Sequence, residues 1–220
     1  ADAWSLDRAE CGGLPLTYAL QMCHYGIAQV LVDYMTEQLP DSPQSTLPAA
    51  ARSCLAEAVA AAIDTYSQVT AEAEAGQQLA YASWKDPRAE AERLLRSLAS
   101  LWKACGSENF DGVDPLTYAF DVNAKPSVAV LLEFSDLWLV DNQGMLPVER
   151  ALQLGLKETA EAVSWHMQVS RPAQMSPAAT WSLARCRHKA KFPEGLVGEI
   201  IITDLLRKKS ASNGLITVTP

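Results

Sequence analysis

The sequence lacks the features by which membrane proteins and most enzymes are recognised. No apolar run approaches the roughly 18 residues that a membrane-spanning helix needs. It has no phosphate-binding loop, nucleophile elbow or dinucleotide-binding fingerprint. The three histidines, at positions 24, 166 and 188, share no metal-ligand spacing on a helix. These absences predict a protein that is not an enzyme, with no catalytic residue, metal or cofactor and no membrane partner.

Paired cysteines are also missing. The five cysteines, at positions 11, 23, 54, 105 and 186, are an odd number with no C-x-x-C pair. This pattern favours reduced thiols in an intracellular protein, so we expect a cytoplasmic location, with the nucleus as an alternative. Residues 1–11 do not resemble a signal peptide, but the chain does not begin with Met. A cleaved leader that directs the protein to an organelle is therefore an alternative to the cytoplasmic location.

The charge of the chain is unevenly distributed. The 220 residues are 49% hydrophobic and 20% charged, which is enough apolar material for a continuous core, and the net charge is −8. Residues 176–220 hold seven Lys or Arg against three acidic side chains, a net charge of +4. The other 175 residues hold 11 basic and 23 acidic side chains, a net charge of −12. An acidic body and a basic tail suggest two segments with different roles.

Residues 111–163 contain the same pattern twice. A Gly-containing turn leads to a proline, a short apolar helix ends on an alanine, and a second apolar helix follows. Pro115 and Pro147 are 32 residues apart. Proline suits the first position of a helix because it lacks only an N–H that would have no partner there. A turn and two short helices with a period near 33 are typical of one class of repeat protein.

This stretch resembles two consecutive ankyrin repeats. The family's opening pattern is matched by Asp111, Gly112, Pro115, Leu116 and Ala119, and then by Gly144, Pro147 and Ala151. Asp114 stands at the family's Thr position and offers an oxygen to cap the helix. Leu146, at that position in the next unit, offers none. Four residues should form the apolar side of the second helix, namely Val128, Val130, Leu131 and Leu132.

A third clear unit lies at residues 11–32, where Gly12, Pro15, Leu16 and Ala19 fit the pattern. Its second helix should pack through Ile27, Val30 and Leu31. The tetrad LTYA at 16–19 recurs at 116–119, which leaves room for two degenerate units. The first would pair a helix from Pro48 to about Cys54 with another from Leu55 to about Ser67. The second would start with 79–82 and continue along an apolar face of Ala91, Leu94, Leu95, Leu98 and Leu101.

Two parts of the chain allow other interpretations. A helical hairpin of another kind is an alternative for residues 46–105. Ser176-Pro177 predicts a helix to about Ala190, which should cover the last repeat near Ala160, Val163 and Met167. The basic run 185–191, at the edge of that helix, is a solvated face, a segment that docks on the acidic repeats or on a partner, or a nucleic-acid contact. We do not expect nucleic acid as a partner, because the body is acidic and no aromatic residues interleave the run.

These observations predict an all-α fold, an ankyrin-like helix-turn-helix repeat solenoid with a C-terminal appendage. Residues 1–10 would lead into the array 11–168, and 169–220 would form the basic segment. The resemblance implies a scaffold or adaptor that binds a partner protein, or an assembly subunit of a larger complex. The alternative is a ubiquitin-ligase adaptor, since 182–186 is similar to the first helix of a SOCS box, although one residue is missing between Leu183 and Cys186.

In ankyrin proteins the projecting turns and the concave faces of the first helices contact partners. The resemblance therefore places the partner-binding residues of this chain on those two features. They are Tyr18, Gln21, Asp111, Val113, Asp114, Tyr118, Asp121, Asn142, Gln143 and Met145.

Overall fold

The computed structural model describes residues 15–22, 24–37, 49–75, 86–105, 114–170, 172 and 174–189. These residues form α-helices joined by turns, with no strand among them, so the predicted all-α class is confirmed. The chain divides into two compact units, residues 1–135 and 136–220. The helices are α1 Pro15–Gln21, α2 Tyr25–Glu37, α3 Ala49–Glu74, α4 Pro87–Ala104, α5 Pro115–Asp121, α6 Lys125–Leu131, α7 Pro147–Gln153, α8 Lys157–Val169 and α9 Pro177–Lys189.

Three helix pairs, α1–α2, α5–α6 and α7–α8, share one backbone arrangement. In each, an N–H just before the second helix donates to the carbonyl of the alanine near the end of the first. The three bonds are His24 to Ala19 at 2.8 Å, Ala124 to Ala119 at 2.8 Å and Leu156 to Ala151 at 2.9 Å. The same residue offsets, 100 and 32, relate all three pairs. The internal repetition seen in the sequence is therefore present in the backbone at these three places.

In α5–α6 and α7–α8, the loop between the two helices contains a residue with a left-handed backbone conformation. Asn123 has φ 54° and Gly155 has φ 76°, and the two occupy equivalent positions. Asn and Gly tolerate this region better than other residues do. A left-handed residue cannot continue a helix, so it ends α5 and α7 after seven residues each.

Residues 49–104 differ from the prediction. The expected pair of short helices at 48–67 is one continuous helix, α3, of 26 residues. Its sequence is rich in alanine and contains neither Gly nor Pro, so nothing interrupts the backbone hydrogen bonds. α4 buries the predicted apolar face, including Leu94, Leu98 and Leu101, and packs along α3. The long helix pair thus agrees with the alternative of another hairpin type, while 79–82 lies outside the described residues.

In the first unit, α2 packs on α4, and α6 packs on both α3 and α4. Leu131 is fully buried, as the sequence predicts. Ser127 shares a hydrogen bond with Ser67 of α3 (3.0 Å between the two Oγ atoms) and donates to the Ile63 carbonyl oxygen (3.0 Å). Arg96 of α4 donates to Glu133, just after α6, at 2.6 Å, and that bond raises the pKa of Arg96. The short helix α6 is therefore supported by two long neighbours.

The predicted packing face of α2 is wrong. Ile27 and Val30 are exposed, whereas Ala28, Val32 and Met35 are fully buried. The helix turns its other side toward the core, because α4 lies against that side. The apolar residues at 27 and 30 remain at the surface.

In the second unit, α7 packs against both α8 and α9. Ser176 caps α9, as predicted, by accepting from the Ala179 N–H at 3.1 Å. The helix buries Leu183 and Cys186 and packs on the last helix pair, where its main neighbour is α7, whereas the prediction placed it near Ala160, Val163 and Met167 of α8. Polar contacts also join α9 to the start of α7. The predicted elements beyond Lys189 lie outside the described residues.

Candidate interaction surfaces

The turn between Asp141 and Met145 is held by its own hydrogen bonds. The Asp141 N–H donates to the Met145 carbonyl at 2.9 Å, and the Gly144 N–H donates to the Asp141 carbonyl at 2.9 Å. The Asp141 carboxylate accepts from the N–H groups of Gln143 (2.8 Å) and Met145 (2.9 Å). Gly144 has φ 69°, so the turn prediction for this glycine is confirmed. Asn142 and Gln143 are exposed at the tip, where a partner can reach them.

Met145 does not share that exposure. Its side chain is buried, with 6% of its surface accessible, and it precedes the fully buried Leu146. The sequence prediction placed Met145 among the partner contacts because it follows the turn glycine. In the structure its side chain belongs to the core of the second unit, and only its neighbours at the tip face solvent.

Arg185 anchors the turn to α9. Its guanidinium donates to the Gly144 carbonyl at 2.7 Å and to both carboxylate oxygens of Glu149 at 2.8 and 2.7 Å. The hydrogen bond to Glu149 raises the pKa of Arg185. A two-point Arg–carboxylate contact fixes direction as well as distance. This contact agrees with the alternative that the basic run docks on the acidic part of the chain, although nothing in the sequence indicates Glu149 as the acceptor.

Ser182 completes the same network. Its hydroxyl donates to Glu149 at 2.6 Å and accepts from the Leu146 N–H at 2.8 Å. Leu146 offers no side-chain cap to α7, and the hydroxyl of Ser182 supplies an acceptor at that position instead. Both the tip and the helix behind it are therefore held in one geometry, which lowers the entropy cost of binding a partner.

A second candidate surface lies in the first unit, around Tyr118 and α3. The Tyr118 hydroxyl donates to Asp64 of α3 at 2.9 Å. Loss of solvation, followed by the hydrogen bond to Asp64, raises the pKa of Tyr118. The hydroxyl of Tyr118 is therefore already engaged in a contact within the chain. The sequence gives no sign of this contact, since the two residues are 54 positions apart.

An open cleft of about 520 Å³ runs beside this pair, between α3 and the loop that joins α5 to α6. Its polar lining comes from both sides, with no deeply buried charge. Because it is open to solvent, such a cleft suits a protein segment better than a small substrate, which is usually enclosed on most sides by its pocket. The lining includes Asp64, Ser67, Thr70, Glu74, Asn123 and Lys125.

The remaining predicted contact residues are distributed over the same unit. Tyr18 is exposed on α1, and Asp121 is exposed at the end of α5. Asp114 is partly buried before α5, and its carboxylate lies beside the first N–H groups of that helix, at the predicted capping position, without the full geometry of a capping hydrogen bond. Burial raises the pKa of Asp114 to about 6, although the N–H groups of Thr117 and Leu116 act to lower it. The side chain of Gln21, together with residues 111 and 113, lies outside the described part.

The described residues contain no group of three or more His, Cys, Asp or Glu side chains placed to hold a metal ion. Within the same residues, no helix combines the length and the apolar character that crossing a bilayer requires. Compared with protein-family models, curated proteins and solved structures, the chain gives no significant match.

Proposed function

We propose that this chain is a protein-binding scaffold, adaptor or assembly subunit built on ankyrin-like helix pairs. The observation that carries the proposal is the equivalence of the three short pairs in both sequence and backbone hydrogen bonds. Repeated helix pairs of this kind present turns and helix faces as extended binding surfaces. The partner is a protein, and the role is binding and not catalysis.

The turn at 141–145 is the first surface to test. It offers two exposed amides, Asn142 and Gln143, on a backbone that Asp141 and Arg185 hold in place. Amide side chains on a rigid loop can donate and accept hydrogen bonds with little loss of freedom. Tyr18 and the cleft beside Tyr118 provide a separate surface in the other unit.

Affinity purification with the full chain, followed by reconstitution with the purified partner, tests the proposal. We expect Asn142→Ala/Gln143→Ala or Tyr18→Ala to weaken partner binding by about tenfold, since such contacts are worth about 1–2 kcal/mol. Lys157→Ala/Glu161→Ala, at exposed positions of α8, is the matched control and should leave binding unchanged. Partner binding that none of the turn and Tyr18 variants alters would contradict the proposed surfaces.

The packing of α9 gives no support to the ubiquitin-ligase alternative. Leu183 and Cys186, the residues that carry the similarity to a SOCS box, are buried in the second unit. They would be unavailable to a ligase subunit unless α9 left α7.

A further inference from the structure

The second helix of the first pair carries an apolar stripe that nothing in the described structure covers. Ile27, Val30 and Tyr34 are 56, 67 and 41% exposed. Their spacing of three and seven residues places them on one side of α2, and Ala28, Val32 and Met35 point the opposite way into the core. We call the exposed side, defined by Ile27, Val30 and Tyr34, the α2 outer face. Isolated apolar residues at a surface need no explanation, whereas apolar residues aligned on one helix form a candidate contact surface.

The equivalent side of α6, in the same unit, is covered by another helix. The hydrogen-bond pattern aligns Ile27 with Ser127 and Val30 with Val130 on α6. Those two residues are buried, with 0 and 3% of their surface accessible. α3 lies over this part of α6, and its Ile63 carbonyl and Ser67 hydroxyl contact Ser127 directly. The backbone geometry at this position is therefore compatible with a docked α-helix.

Charge around the stripe restricts the chemistry of such a helix. α1 and α2 contain no Lys or Arg. Asp33 and Glu37, both exposed, lie one turn apart on the side of α2 next to Val30. The acidic flank favours basic groups on whatever docks there and opposes a second copy of the same face, because like charges would meet.

We propose that the α2 outer face binds an amphipathic α-helix of a partner protein, one with an apolar stripe flanked by Lys or Arg, in the way that α3 covers α6. The inference shares with the proposed function the premise that the chain binds proteins. It concerns a different surface, however, and can fail separately. A single docked helix buries a small area, so the contact would contribute to a larger interface or form a transient one.

Two synthetic peptides with the α3 sequence test the proposal, because α3 is the helix that packs on the equivalent side of α6. Both carry Cys54→Ser, and the second has four acidic residues replaced by Lys, namely Glu57, Asp64, Glu72 and Glu74. Fluorescence anisotropy with the folded full-length chain measures the affinity of each. We expect saturable binding, tighter by about fivefold for the basic peptide, since several exposed charge pairs contribute about 1 kcal/mol.

Val30→Glu in the full chain should lower the affinity for the basic peptide by about tenfold, which is the loss expected from one buried aliphatic contact. Trp165→Glu, at a similarly exposed apolar residue of α8, is the matched control and should leave the affinity unchanged. Circular dichroism of both variants is the check that they fold like the wild-type chain. The turn variant Asn142→Ala/Gln143→Ala should also leave peptide binding unchanged, which separates this inference from the proposed function.

Three results would overturn the inference. The first is no saturable binding of the basic peptide to the wild-type chain. The second is binding that Val30→Glu does not weaken. The third is concentration-dependent dimerisation of the chain that Val30→Glu abolishes in sedimentation equilibrium, because a second copy would then be the occupant.

Discussion

The long helix pair α3–α4 and the short pair α5–α6 belong to the same compact unit but are built by different rules. α3 runs for 26 residues without Gly or Pro, whereas α5 ends after seven, before the left-handed Asn123. Helices of seven residues are not stable alone in water. The short pair persists because α3 and α4 pack against it, so helix length is set locally and helix stability is set by the neighbours.

The same comparison extends to the first residues of the helices. Both α4 and α5 start with Asp-Pro. Asp86 is exposed, and its carboxylate accepts from the Ala89 N–H at 3.1 Å. Asp114 is partly buried, and burial raises its pKa to about 6 although the N–H groups of Thr117 and Leu116 act to lower it. An identical dipeptide therefore places its carboxyl group in two different environments, one exposed and one partly desolvated.

The largest expected effect tests the dependence of the short pair on its neighbours. Leu131→Ala should lower the free energy of unfolding by about 2–5 kcal/mol, because Leu131 is fully buried. The equivalent Leu31 of α2 is partly exposed, and Leu31→Ala should cost clearly less. A urea titration of both variants measures the difference. A loss below about 0.5 kcal/mol at Leu131 would contradict the packing described here.

The second prediction compares the buried acceptor Glu149, at the start of the third short pair, with the more exposed Glu92 of the long pair. Glu149→Ala should lower the free energy of unfolding by about 2–3 kcal/mol, because it leaves Arg185 and Ser182 without their common acceptor. The same change at Glu92, which bonds Arg96 in a more exposed setting, should cost below about 1 kcal/mol. Equal losses in thermal unfolding would show that the network around α9 is no stronger than a surface ion pair.

A pH experiment separates the two Asp-Pro helix starts. The ordinary pKa of Asp is 3.8, and that of folded Asp114 is about 6, so the folded state keeps a proton that the unfolded state loses between these values. Stability contributed by Asp114 therefore falls as the pH rises from 4 to 6. Asp114→Asn should raise the free energy of unfolding by about 1–2 kcal/mol at pH 7 and change it little at pH 3.

The control for that experiment is the exposed cap of α4. Asp86→Ala should lower stability by about 1 kcal/mol at pH 7, because it removes the capping bond to Ala89. If Asp114→Asn were instead destabilising at pH 7 by a similar amount, Asp114 would be an ordinary cap and its burial would not dominate.

The smallest effect concerns the residue that ends a short helix. Gly155→Ala should cost about 1 kcal/mol, because Gly155 has φ 76°. Gly26→Ala should instead stabilise by about 0.5 kcal/mol, since Gly26 lies within α2 with open space around its missing Cβ atom. Melting temperatures should move in opposite directions. A shift in the same direction would mean that the loop does not require its left-handed residue.

Much of the local structure could be predicted from sequence. Proline at the first helical position, the turn glycine at 144 and the Ser176 cap all correspond to observed features. The helices between the two LTYA tetrads were harder to predict, because an alanine-rich stretch with no Gly or Pro is compatible with one long helix as well as with two short ones. The expected division into two short helices followed the repeat period and failed at 48–67.

The candidate sites were less accessible to sequence reasoning. Exposed Tyr18, Asn142 and Gln143 follow from their places in the repeat. The contacts of Tyr118 with Asp64 and of Arg185 with Glu149 join residues 54 and 36 positions apart. Neither pairing has a signature in local spacing, since it depends on how α3 and α9 pack.

By itself, the sequence determined the helical class, the starts of α5, α7 and α9 and the repetition of the short pairs, because proline, glycine and capping residues act within a few positions along the chain. Tertiary structure alone decided which side of α2 is buried, where α9 docks and why Asp114 and Asp86 differ. Those outcomes depend on burial and on partners distant in sequence. Burial acts through the solvation of a whole side chain, and only the packed neighbours decide that.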